Sequence, residues 1–157
     1  DAELMAVGPG GARTIPAAGF FRGPYSTALA PDEILTEIRL PVWAGGHAFI
    51  EFSRVHANFA VVAAAALVEL DGDRISRAAL ALAGVAPVPV RAISAERVLA
   101  GAQAADAGAI RSAADAAAAD LSPAGDLHAS AETRRGLART YLRRAIELAV
   151  SRARNER

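Results

Sequence analysis

The sequence contains no cysteine. That excludes disulfides, thiolate metal sites, a cysteine nucleophile and any iron–sulfur cluster held by this chain. Lysine is absent too. All 17 basic residues are arginine, and 17 acidic residues bring the formal net charge to zero, a balance that argues against a nucleic-acid or acidic-ligand surface. No apolar run reaches the roughly 18 residues of a membrane-spanning helix, and Asp1-Ala2-Glu3 opens on polar, acidic residues rather than a signal-peptide pattern. The expectation is a soluble cytoplasmic protein with no membrane span.

Motifs for self-contained catalysis are missing as well. His47, His56 and His128 are scattered, with no H-x-x-x-H pair and no carboxylate at ligand spacing, so no metal site is expected. Without a G-x-S-x-G elbow, Ser53, Ser94, Ser112 and Ser122 have no reason in the sequence to act as nucleophiles. Gly8-Pro9-Gly10-Gly11 fits neither G-x-G-x-x-G nor G-x-x-x-x-G-K-[ST], and reads as a turn rather than a phosphate loop.

What is present is apolar residue in quantity: 53% of 157 residues, enough to core one ordinary domain or two small ones. The organising stretch runs from Phe49 to Leu70. Its apolar part begins at Phe59, ends at Asp71-Gly72-Asp73 and is followed by a second apolar run, Ile75 to Val85. β-branched Val61, Val62 and Val68 around an Asp-Gly turn predict a long antiparallel hairpin. Upstream, Glu3 to Val7 and Arg13 to Pro16 predict a short hairpin closed by the glycine turn. Residues 17 to 21 predict one helical turn. Ile34 to Leu40 predicts a strand with Ile34, Ile38 and Leu40 alternating against Glu33, Glu37 and Arg39, stopped by Pro41. A domain boundary falls in the glycine-containing loop Trp43 to His47.

Three helices are expected after Pro87 and Pro89 close the sheet. Ala92 to Ala100 stops at Gly101, and Asp106 caps a helix to Ala119. The last runs from the N-cap Ser130 to about Arg154. Its apolar face is Ala138, Tyr141, Leu142, Ala145, Leu148 and Ala149, while Arg134, Arg135, Arg139 and Arg143 line a solvated face and Arg143 can pair with Glu147. Arg54 interrupts the apolar stretch, either half-exposed on a strand face or placed to meet an anion or partner. Trp43 is an interface anchor or a lid on the core.

Four stretches together carry a family resemblance. Phe20-Phe21-Arg22-Gly23-Pro24-Tyr25 through Ile38-Arg39-Leu40-Pro41 resembles a segment of the FAD-binding medium subunit of the carbon monoxide dehydrogenase and xanthine dehydrogenase (molybdenum hydroxylase) family. Phe49 to Ala60 is similar to that family's F-x-E-x-x-R-R-x-G-D-F-A, departing from it at Val55, Ala57 and Asn58. Leu82 to Ala92 and Asp126 to Glu132, running into Arg134-Arg135, agree in order and spacing, with Thr133 in place of a usual Tyr.

The resemblance implies an α+β fold. Residues 1–44 are the truncated C-terminal end of a PCMH-type FAD-binding subdomain. Residues 45–157 are a C-terminal domain with a three-stranded antiparallel sheet packed against about three helices. It implies a fragment, with the glycine loops that hold the FAD pyrophosphate lying upstream, so that the fragment alone binds FAD weakly and is inactive. Leu35, Ile50 and Phe59 match flavin-side positions. Ile50 stands where the xanthine-oxidising branch has a lysine, which favours the carbon-monoxide-like or aldehyde-like side. Implied partners are a large molybdopterin subunit and a small subunit with two [2Fe–2S] clusters, in a hetero-oligomer that passes electrons through FAD to an external acceptor. The alternative from the residues alone is a non-enzymatic α+β protein-interaction module.

Overall fold

The computed structural model describes residues 1–55 and 58–155. His56 and Ala57, named above among the scattered histidines and the motif departures, lie outside the described residues. The chain divides into two compact units, Asp1–Val42 and Trp43–Arg157.

In the first unit, β1 (Glu3–Gly8), β2 (Gly11–Pro16) and β5 (Ile34–Arg39) form an antiparallel sheet in the order β2-β1-β5. Gly11, at φ +102°, turns the first hairpin in a conformation that disfavours a side chain. A 3₁₀ turn (Ala17–Gly19) and the short pair β3 (Phe21–Gly23) and β4 (Ser26–Thr27) join β2 to β5. The core is small: Leu4, Ala6, Ile15, Phe20 and Ala28, with Leu29 and Leu35 packed partly against it.

The expected alternation of β5 is corrected by its pairing with β1. Met5 faces Glu37 but Ala6 faces Leu35, so Thr36 is an extra residue, a β-bulge whose hydroxyl donates to the Met5 carbonyl at 3.2 Å. Because the bulge inserts one residue, Leu35 and Ile38 share the face of Ala6 and Leu4, and Ile34 turns to the other face beside Val7. Ile34 and Ile38, read as one apolar face, therefore lie on opposite faces, and both are exposed.

In the second unit, β6 (Gly46–Phe52), β7 (Val62–Asp71) and β8 (Arg74–Ala83) make the three long antiparallel strands expected, and a two-residue strand, β9 (Val90–Arg91), adds to the β8 edge. Gly72, at φ +55°, turns the β7–β8 hairpin. Alternate residues Ala48, Val62, Ala64, Ala66, Val68, Leu80 and Leu82 are buried on one face. Three helices pack on that side: α3 (Ala131–Asn155) lies along β6 and β7, α1 (Ile93–Leu99) along β8, and α2 (Ala107–Ala119) against α1 and α3.

Local signals place the helix ends. Asp106 accepts from the amides of Gly108 and Ala109 at 2.8 and 3.1 Å, and the Ser130 hydroxyl accepts from the Thr133 amide at 3.1 Å. Gly101 takes φ +74° just past α1. The buried stripe of α3 is Arg134, Ala138, Leu142, Ala145, Ile146, Ala149, Val150 and Ala153. Leu148, expected on that stripe, is exposed instead, because it stands one residue, about 100° of helix rotation, from Ala149. Arg134, expected on the solvated face, is buried.

Candidate functional site

At the end of the second unit's sheet is a cleft of about 570 Å³, lined by residues of the β6–β7 connection and of the segment that leads into α3. The connection contributes Arg54, Asn58 and Phe59. Phe59, expected to begin the apolar hairpin strand, lies before β7 and is 95% exposed. The strand begins only at Val62, where pairing with Phe52 starts. Val55, which also lines the cleft, is exposed as well. Arg54 lies beyond the end of β6, not on a strand face, and its Nη1 is 3.1 Å from Nδ1 of His128, a contact to which the guanidinium, having no acceptor, brings the donor.

The opposite wall is a tight turn. Asp126 Oδ1 accepts from the amides of His128 and Ala129 at 2.8 and 3.0 Å, and the Asp126 amide donates to the Ala129 carbonyl at 3.0 Å. This turn holds Leu127 almost fully in solvent. The two backbone amides, with the charge of Arg134 adding to them, hold the Asp126 carboxyl below the usual carboxylate range.

Arg134 joins the two walls from below. It is 8% exposed. Its Nη1 donates to the carbonyls of Val61 at 2.6 Å and Gly84 at 2.8 Å, and its Nη2 to Asp126 Oδ2 at 2.6 Å. Gly84, at φ +77°, lies so close to Val61 that a side-chain carbon there would overlap the Val61 carbonyl oxygen. The two carbonyls therefore converge on one nitrogen. Sequence reading missed Arg134. The available signal was its spacing, since residues 134, 138, 142, 145 and 149 follow one helical stripe.

Of the residues matched to flavin-side positions, only Phe59 lines this cleft. Ile50 is in β6 opposite Ala64, on the helix-covered face, half-buried against the core. Leu35 belongs to the first unit and is half-buried against its small core. The arrangement at the cleft offers an exposed aromatic ring, guanidinium and amide donors, and, among the described residues, no pair of carboxylates suited to proton transfer. Among the described residues no helix is long and apolar enough to cross a membrane.

Comparison with known proteins places these features. Residues 1–43 match the family model described as the FAD binding domain in molybdopterin dehydrogenase. The carbon monoxide dehydrogenase medium chain of Afipia carboxidovorans is 39% identical over 150 residues, covering 94% of this chain and 52% of that one. The nicotine 6-hydroxylase medium subunit of Paenarthrobacter nicotinovorans is 37% identical over 136 residues, covering 87% and 48%. In structure, the carbon monoxide dehydrogenase from Hydrogenophaga pseudoflava that lacks the Mo-pyranopterin moiety superposes with a TM-score of 0.92 at 35% identity, over 98% of this chain and 54% of that one. The chain thus spans about half the length of the curated relatives it matches. Residues 47–149 match the CO dehydrogenase flavoprotein C-terminal domain, and the chain belongs to that family.

Proposed function

We propose that this chain is the ring-facing part of the FAD-containing medium subunit of a molybdenum hydroxylase, an oxidoreductase subunit that passes electrons from iron–sulfur clusters through FAD to an external acceptor. The observation that carries the reading is Phe59, an aromatic ring held almost wholly in solvent at the edge of a cleft that also presents Arg54. A fully exposed phenylalanine is costly to leave uncovered, and a flat heteroaromatic ring offers it a matching face. Arg54 and Asn58 supply N–H donors of the kind that the polar edge of such a ring accepts. These residues fit the flavin ring.

When bound, FAD supplies the electron transfer. The chain's own residues at the second unit's cleft exclude water and orient the ring: Phe59 provides apolar contact, and Arg54 provides positive charge. Ile50, being uncharged, favours a carbon-monoxide-type or aldehyde-type complex over a xanthine-oxidising one. In this reading the diphosphate is held outside this chain, which is supported by Gly8–Gly11 fitting neither phosphate-loop template and forming the β1–β2 turn. The isolated chain accordingly binds FAD weakly.

In this reading residues 1–44 end the FAD-binding domain and residues 45–157 form the C-terminal domain. The partners are a large molybdopterin subunit and a small iron–sulfur subunit in a cytoplasmic hetero-oligomer. The visible spectrum of the intact parent polypeptide, purified with its neighbouring subunits before and after reductant, is the direct test. A flavin band that bleaches is expected, and Phe59→Ala should weaken flavin retention by roughly three- to tenfold. A folded, colourless complex would overturn the reading in favour of an interaction module.

A further inference from the structure

Arg134 is unusual in that nothing in the packing of α3 demands it. Its position continues the stripe of Ala138 and Leu142, where an apolar residue would bury without the desolvation cost of a charge. Its three acceptors come from three separate segments, none of them α3: Val61 just before β7, Gly84 just after β8, and the turn before the helix. All three converge at the base of one cleft wall or the other. A planar guanidinium can serve two carbonyls and a carboxylate at once, which a single ammonium point charge does with poorer geometry.

We propose that Arg134 is a positioning residue that sets the separation of the Phe59 segment from the Asp126–Ala129 turn, and so holds the flavin-facing surface open and in register. The proposal rests on the flavin reading given above for its consequence, though the clamp itself stands on the hydrogen bonds. It acts through Val61 on one side and through Asp126 on the other. Asp126 in turn presents His128 to Arg54, so one buried cation sets both walls.

The test uses the full-length subunit in its complex, as Arg134→Gln and Arg134→Lys, with Phe59→Ala as a reference. Hydrogen exchange of the peptides covering residues 58–62 and 126–130 is expected to quicken about tenfold or more in Arg134→Gln, the size of losing one charge-assisted hydrogen bond. The peptide covering 138–150 should stay protected. Arg134→Lys should restore part of the protection, and it serves as the measured variant if Arg134→Gln does not fold. The absorption band of the bound flavin should shift in Arg134→Gln in the same direction as in Phe59→Ala. Faster exchange spread evenly through α3 and the sheet would mean a merely structural role and would overturn the proposal, as would unchanged exchange at 58–62. If Phe59→Ala leaves the flavin band unmoved, the flavin reading fails while the exchange result still decides the clamp.

Discussion

Gly46 packs its Cα directly against the backbone of Ala149, so closely that a side-chain carbon there would overlap the Ala149 carbonyl oxygen and the Ala153 amide nitrogen. At the first residue of β6, α3 thus leaves no space for a side chain, and glycine is needed there for room rather than for a left-handed backbone angle.

Gly46→Ala should therefore destabilise the second unit by about 2–3 kcal/mol, since neither partner is a side chain that can swing away. Urea unfolding followed by the emission of Trp43 measures it. A midpoint equal to that of the parent protein would show that α3 can move off β6 at little cost.

Glu33 accepts two bonds from Arg13, at 2.6 and 2.8 Å, and one from the Ala30 amide at 2.7 Å. The Arg13 hydrogen bonds, then the Ala30 amide, lower its pKa from 4.5 to about 2. A carboxyl whose folded pKa is depressed stabilises the fold fully above its unfolded value and loses that contribution as pH falls toward the folded value. Hydrogen-exchange protection of β2 and β5 should hold down to about pH 4.5 and decline between there and about pH 2. Glu33→Gln should lower protection at neutral pH and remove this group's share of the decline, and an identical pH profile in the variant would show the pair to be without effect.

The guanidinium of Arg77 lies 3.6 Å from the ring centroid of Trp43, the one tryptophan in the sequence. Such stacking contributes about 0.5–1 kcal/mol at a partly exposed site. Arg77→Ala should shift Trp43 emission to the red and raise its quenching by acrylamide. Emission and quenching like those of the parent would mean that the ring is covered by other groups.

The local elements were legible because their determinants are neighbours in sequence. The Asp71-Gly72 turn, the Asp106 and Ser130 caps and the Gly101 helix stop each depend on residues within one turn of the chain, and each stands where the sequence places it. Phe59 and Arg134 were misread for a shared reason. An apolar residue beside Val61 and Val62 reads as strand, and a third arginine among Arg135 and Arg139 reads as solvated surface. Whether Phe59 is covered depends on where pairing with Phe52 stops. Whether Arg134 is tolerable inside depends on three acceptors that lie 8, 50 and 73 residues away.

The bulge at Thr36 belongs with these. Its effect on Ile34 and Ile38 arises from how β5 registers against β1, some 30 residues earlier in the chain, and no spacing within β5 reveals it. By itself, then, the sequence determined the element types, the helix caps, the long hairpin and the family, because propensity, turn chemistry and motif order are written in adjacent residues. Only the tertiary structure decided that Phe59 faces solvent at a cleft and that Arg134 lies buried beneath it, because burial and hydrogen-bond partnership are properties of segments brought together from far apart.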